Sequence, residues 1–73
     1  MHVIRIAKTP DYLYLDTRSH GTDRTFRRNR ETGIITRSRG NGRWAYVPSI
    51  KSAEVLKVMG EQFDPASMFL TRH

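Results

Sequence analysis

The 73-residue chain contains no cysteine. That excludes a disulfide framework, the common staple of small secreted domains, and with it thiol nucleophiles and thiolate metal ligands. No apolar run approaches the roughly 18 residues expected of a membrane span. Arg5 and Lys8 interrupt the opening apolar residues, so the start does not read as a secretory signal. These absences together lead us to expect a soluble cytoplasmic protein. Histidine is sparse: His2, His20 and His73 are scattered, two of them at chain ends. No spacing of histidine and carboxylate matches a zinc or calcium site. The "GNG" at 40–42 is too short for a phosphate-cradling loop, and no Lys-Ser or Lys-Thr follows it.

Catalysis therefore finds little support. His20 and Asp23 in "SHGTD" could orient one another, but that pattern is common in loops. A chain this short also leaves little room for a pocket of the usual size, about 300–1,000 Å³. The expectation is a protein that is not an enzyme and needs no cofactor.

Acidic residues are nearly missing from one stretch. "RTFRRNRETGIITRSRGNGR", residues 24–43, holds Arg24, Arg27, Arg28, Arg30, Arg37, Arg39 and Arg43 against Glu31 alone, and no lysine. The segments on either side each balance to zero, so the formal charge of +6 sits entirely in this stretch. Such a concentrated field attracts polyanions or acidic protein surfaces. Guanidinium is a planar fork that grips phosphate or carboxylate through paired hydrogen bonds and stacks on rings. Lysine would serve for solubility alone.

Hydrophobic residues make up 37% of the chain, enough for a folded core. "HVIRIAK" (2–8) reads as a strand with Ile4 and Ile6 directed inward. After the Pro10-Asp11 turn, "YLYLD" (12–16) alternates, with Leu13 and Leu15 on one face and Tyr12 and Tyr14 on the other. The two segments form a hairpin. "TRSHGTD" (17–23) has the composition of a loop. "RTFRR" (24–28) reads as a strand with Phe26 inward, "GIITRS" (33–38) as another, and "RGNG" as a turn into "RWAYV" (43–47). The arginine stretch thus reads as a hairpin whose strands and tip carry the charge.

"PSIKSAEVLKVMGEQF" (48–63) has helical periodicity. Ser49 or Ser52 could cap it, and Ser52, Val55, Leu56, Met59 and Phe63 make one stripe. Glu54, Lys57 and Glu61 line the opposite side and nearly cancel. A groove-reading helix would present arginine, lysine and amides outward, so this helix reads as a brace. Asp64-Pro65 is a good helix start, making 64–73 a short helical turn or a tail that orders on binding. Its Met68, Phe69 and Leu70 either close the core or dock on a partner.

The expected fold is α+β: a small antiparallel sheet of four or five strands packed against one C-terminal helix. Residues 1–63 form the single domain. The expected core is Ile4, Ile6, Leu13, Leu15, Phe26, Ile35, Trp44, Val55, Leu56, Met59 and Phe63, and Leu56→Ala should cost about 2–5 kcal/mol. The same arginines suit two kinds of binding: a nucleic-acid module in which Trp44 and Tyr46 stack bases beside Arg43, or a regulator with one face for protein and the arginine hairpin for nucleic acid.

The "MHVIRIAKTPDYLYLD" opening, the arginine-rich middle and the short apolar tail resemble the small transcription regulators encoded by lytic phages of Gram-negative bacteria. The resemblance covers the whole chain. It implies a monomer that acts in the cytoplasm of the infected host. Its partner would be bacterial RNA polymerase, contacted at the N-terminal region of the β′ subunit. There it would displace σ to inhibit initiation and prevent termination at intrinsic terminators, with nascent RNA and the elongation factor NusA. No short motif defines these regulators, so the resemblance assigns no role to any residue. On the residues alone, Arg37, Arg39 and Arg43 flank a turn and are the expected RNA contacts. The alternatives are a free-standing RNA- or DNA-binding module and an inhibitor of another host enzyme.

Overall fold

The computed structural model describes residues 1–68. Five strands, β1 (His2–Lys8), β2 (Tyr12–Ser19), β3 (Thr22–Asn29), β4 (Ile35–Gly40) and β5 (Arg43–Tyr46), form an antiparallel meander in the order β1-β2-β3-β4-β5. One main helix, α1 (Ser49–Gln62), packs on the sheet, and a short turn, α2 (Pro65–Met68), follows. The expected α+β architecture is the observed one.

Tight turns explain why neighbours in sequence pair. The β2–β3 connection is only His20-Gly21, with φ of 51° and 75°. Both residues occupy the left-handed region that a two-residue hairpin turn requires. The expected loop over 17–23 is therefore mostly strand: β2 runs to Ser19 and β3 begins at Thr22. Composition misled because these polar residues pair with one another across the ladder, Thr17 with Arg24, Arg18 with Asp23 and Ser19 with Thr22. Asn41-Gly42 repeats the device between β4 and β5, with φ of 55° and 73°. Between β3 and β4, the Asn29 side-chain Oδ1 accepts from the amides of Glu31 (2.9 Å) and Thr32 (3.0 Å).

Parity along each strand decides the two faces. The register pairs Leu15 with Phe26, Leu13 with Arg28, Phe26 with Arg37 and Arg28 with Ile35. These residues share the face that α1 covers. The core is Leu13, Leu15, Phe26, Ile35, Val55, Met59 and Met68. Thr17 is buried with it, its hydroxyl donating to the Arg24 carbonyl at 3.2 Å.

Four expected core residues lie elsewhere. The register shifts between Val3 and Arg5, which leaves Ile4 unpaired in a bulge. Val3 packs on the core in its place, and Ile4 is 48% exposed. Ile6 pairs with Leu15 but sits on the edge strand and is exposed. Leu56 is 42% exposed, because the buried line of α1 runs through Val55 and Met59, with Val58 and Phe63 beside it. Trp44 pairs with Ser38, on the face opposite the helix.

The start of α1 also differs. Pro48 is the N-cap and no side chain caps the first turn; the Ser52 amide bonds the Pro48 carbonyl at 2.8 Å. Proline suits this place because its missing N–H and fixed φ cost nothing there. Met68 is 7% exposed and belongs to the core, so it is not a docking side chain. Phe69 and Leu70 lie outside the described residues.

Candidate binding surfaces

The seven arginines do not form one basic hairpin. Six are spread over β3, β4 and β5 and both faces of the sheet, and Arg30 lies in the turn after β3. Arg28 is 6% exposed and packed beneath α1 and α2, and burial pushes its guanidinium below arginine's ordinary value. Its place opposite Leu13 makes it part of the interior. Arg30 is used to hold a turn. Its Nη1 donates to the Thr9 carbonyl at 3.1 Å, while its amide bonds the Asp11 carbonyl at 2.9 Å. Arg39 is the unpaired residue where the β4–β5 register shifts, and it stands exposed beside Arg43 at the turn. Arg24 and Arg37 lie on the helix-bearing face, flanking Phe26. Arg27, opposite Tyr14 and Thr36, is on the other face.

No helix covers that other face. The register brings Tyr14 opposite Arg27, Arg27 opposite Thr36 and Thr36 opposite Tyr46. The Arg27 guanidinium carbon lies 4.1 Å from the Tyr12 ring centre and 3.9 Å from that of Trp44. Tyr14 stands 6.0 Å from Tyr12 and 6.1 Å from Trp44, both tilted. The cation is thus sandwiched in a half-buried aromatic cluster. Each such contact is worth about 0.5–2 kcal/mol, more as water is excluded. A notch of about 200 Å³ lined by Tyr12, Arg27, Asn29, Ile34, Thr36 and Tyr46 opens beside it. Toward β1 the face turns polar: Asp16 pairs with Arg5 at 2.9 Å and accepts from the Thr25 hydroxyl at 2.7 Å.

The sequence reading placed Trp44 in the core and missed the Arg27 sandwich. The signal was present in the alternation of Tyr12 and Tyr14 against Leu13 and Leu15, which separates an aromatic face from an aliphatic one. What could not be read was that Arg27 and Trp44 meet across β4.

On the opposite side, a cleft of about 560 Å³ runs between the β2–β3 turn, the β3–β4 surface and the first turn of α1. A chain this short therefore does hold a pocket of ligand size, contrary to expectation. Among the described residues no group of histidines and carboxylates could hold a metal ion, and no helix is long and apolar enough to cross a membrane. His20 and Asp23 do not form a pair. Asp23 instead binds Arg18, with Nε–Oδ1 at 2.7 Å and Nη2–Oδ2 at 3.2 Å. Comparison with protein-family models finds no match, and neither does comparison with curated proteins or with solved structures.

Proposed function

We propose that the protein is a phage-encoded transcription regulator that binds host RNA polymerase. It docks on the N-terminal region of the β′ subunit as a monomer in the bacterial cytoplasm. Its presence displaces σ and inhibits initiation. In elongation it acts with NusA and nascent RNA to prevent termination at intrinsic terminators. The observation that carries a binding role is the uncovered sheet face, on which Tyr12 and Trp44 flank Arg27 and Tyr14 stands beside both rings. Tyrosine, tryptophan and arginine dominate the energetic centres of protein interfaces. Rigid rings and an arginine already stacked lose little conformational freedom on docking. The choice of polymerase as partner is supported by the resemblance of the chain, not by this face.

Displacement of σ follows if the two sites overlap, or if the regulator favours a polymerase shape that σ cannot hold. Size-exclusion chromatography with polymerase core, with core plus σ, and with a structured RNA, all near physiological salt, tests the proposal. Co-elution with core and loss of σ are the expected results. Arg27→Ala and Trp44→Ala should each weaken core binding by tenfold or more, about 1.4 kcal/mol. Co-elution with RNA but not with core defeats the polymerase reading.

A further inference from the structure

The cleft on the helix-bearing face has a composition that the polymerase reading does not use. Arg24 and Arg37 border it from β3 and β4, Lys51 from α1, and His20 from the β2–β3 turn. No carboxylate lines it. Arg24, Arg37 and Lys51 come from three different elements, and the fold brings them together beside Phe26. Arg24 is two residues before Phe26 on β3, Arg37 is paired with Phe26 across the ladder, and the Lys51 Nζ lies 5.9 Å from the Phe26 ring centre. Among the described residues Arg24 and Arg37 donate no side-chain hydrogen bond and form no ion pair. Lys51 has Glu54 at 3.5 Å, a loose pair on the helix surface. Like charges gathered without a counter-charge repel one another, which costs stability. An anion in the cleft relieves that cost.

Two features specify the anion. Arginine forks match the tetrahedral geometry of phosphate through paired donors. Tyr46 lines the same cleft and is 79% exposed, beside the cations and with no role in the core. A bare ring next to phosphate-binding arginines is the arrangement that holds single-stranded nucleic acid, with a base on the ring and the backbone on the cations. An acidic peptide has no use for the ring. We infer that the cleft formed by Arg24, Arg37 and Lys51 is a site for the phosphate backbone of single-stranded RNA, with one base stacked on Tyr46. The three cations lie on the helix side of the sheet, and Tyr46, the last residue of the edge strand β5, borders both the cleft and the notch beside Arg27. Arg39 and Arg43 at the β4–β5 turn lie outside the cleft.

The test needs no polymerase, so its outcome is separate from that of the proposed function. Binding of a fluorescent eight-nucleotide oligouridine to the full chain is followed by anisotropy across a salt series. Replacing Arg24, Arg37 and Lys51 together by glutamine should weaken binding at least tenfold. It should also reduce the slope of log affinity against log salt by about 2, the value for three lost single-strand phosphate contacts. The pair Arg39→Gln and Arg43→Gln should cost less than threefold. Tyr46→Leu should weaken RNA binding severalfold without changing the salt slope. Competition separates the sources of the anion: inorganic phosphate and hexaglutamate should displace the RNA only at far higher concentration. Amide shifts of the unmodified protein on adding oligouridine provide a check independent of variant folding, expected at Arg24, Arg37 and Lys51 and absent at Arg39 and Arg43. Equal losses from the cleft and turn variants, shifts centred on the turn, or displacement by phosphate or hexaglutamate as effective as by RNA would each overturn the inference.

Discussion

The guanidinium of Arg27 lies 3.9 Å from the centre of the Trp44 indole, on the side of the sheet that α1 leaves bare. The two residues are 17 positions apart and come together only because β4 lies between their strands. A double-mutant cycle on Arg27→Ala and Trp44→Ala, read by urea denaturation, should give a coupling energy of about 0.5–1 kcal/mol. Strict additivity would mean the stack contributes nothing to the free protein.

Burial distinguishes two positions on α1 that are adjacent in sequence. Met59→Ala and Val55→Ala remove fully buried side chains and should destabilise the fold by about 2–4 kcal/mol. Leu56→Ala removes a side chain that is largely in water and should cost under about 1 kcal/mol. Urea midpoints of the three variants check the order. In a domain of this size the larger figure is a substantial part of the total stability.

Gly33 closes the loop between β3 and β4 with φ of +77°, and a Cβ built there would stand 3.3 Å from Nη2 of Arg28. Gly33→Ala should therefore destabilise by more than about 1 kcal/mol, from left-handed backbone strain and from displacement of a buried guanidinium. Gly60, on α1 with open space around it, is the control. Gly60→Ala should be neutral or stabilising, since alanine is the better helix former.

The Arg18–Asp23 pair links stability to pH. Hydrogen bonding to Arg18 holds the Asp23 carboxyl below its usual value, and Asp23 raises the Arg18 guanidinium. A carboxylate with a depressed folded pKa contributes stability above its unfolded pKa and loses it as pH falls through the folded one. The contribution should therefore be complete at neutral pH and fade below about pH 4. Because the pair is fully exposed the effect is small and weakened by salt. Thermal melts of Asp23→Asn should show a shallower acid-side decline than the unaltered protein at low salt.

Local chemistry made much of the fold legible. Pro10-Asp11 and the Asn41-Gly42 turn announce where the chain reverses, and the clean alternation of 12–16 identifies its aliphatic side. The core expected at Leu13, Leu15, Phe26, Ile35, Val55 and Met59 is the core found. The misses share a cause. Ile4 and Trp44 were assigned by hydrophobicity, yet the bulge after Val3 resets the parity of β1, and the pairing of Trp44 with Ser38 puts the indole on the bare face. Leu56 shares the helical stripe, yet it stays 42% exposed while Val55 and Met59 take the buried line.

The candidate surfaces were legible only as composition. The sequence alone determined that the net charge lies within 24–43, that it is carried by arginine, and that strands and turns alternate there, because these depend on residue identity and short-range sterics. The tertiary structure decided how that charge is used. Strand parity sends Arg27 to the aromatic face and Arg24 and Arg37 to the helix side, and Arg28 into the interior. The packing of α1 adds Lys51, which no local pattern connects to the arginines. Which cations share a cleft is settled by register and packing, since side chains on one strand alternate faces every residue while contacts across strands and layers join positions far apart in the chain.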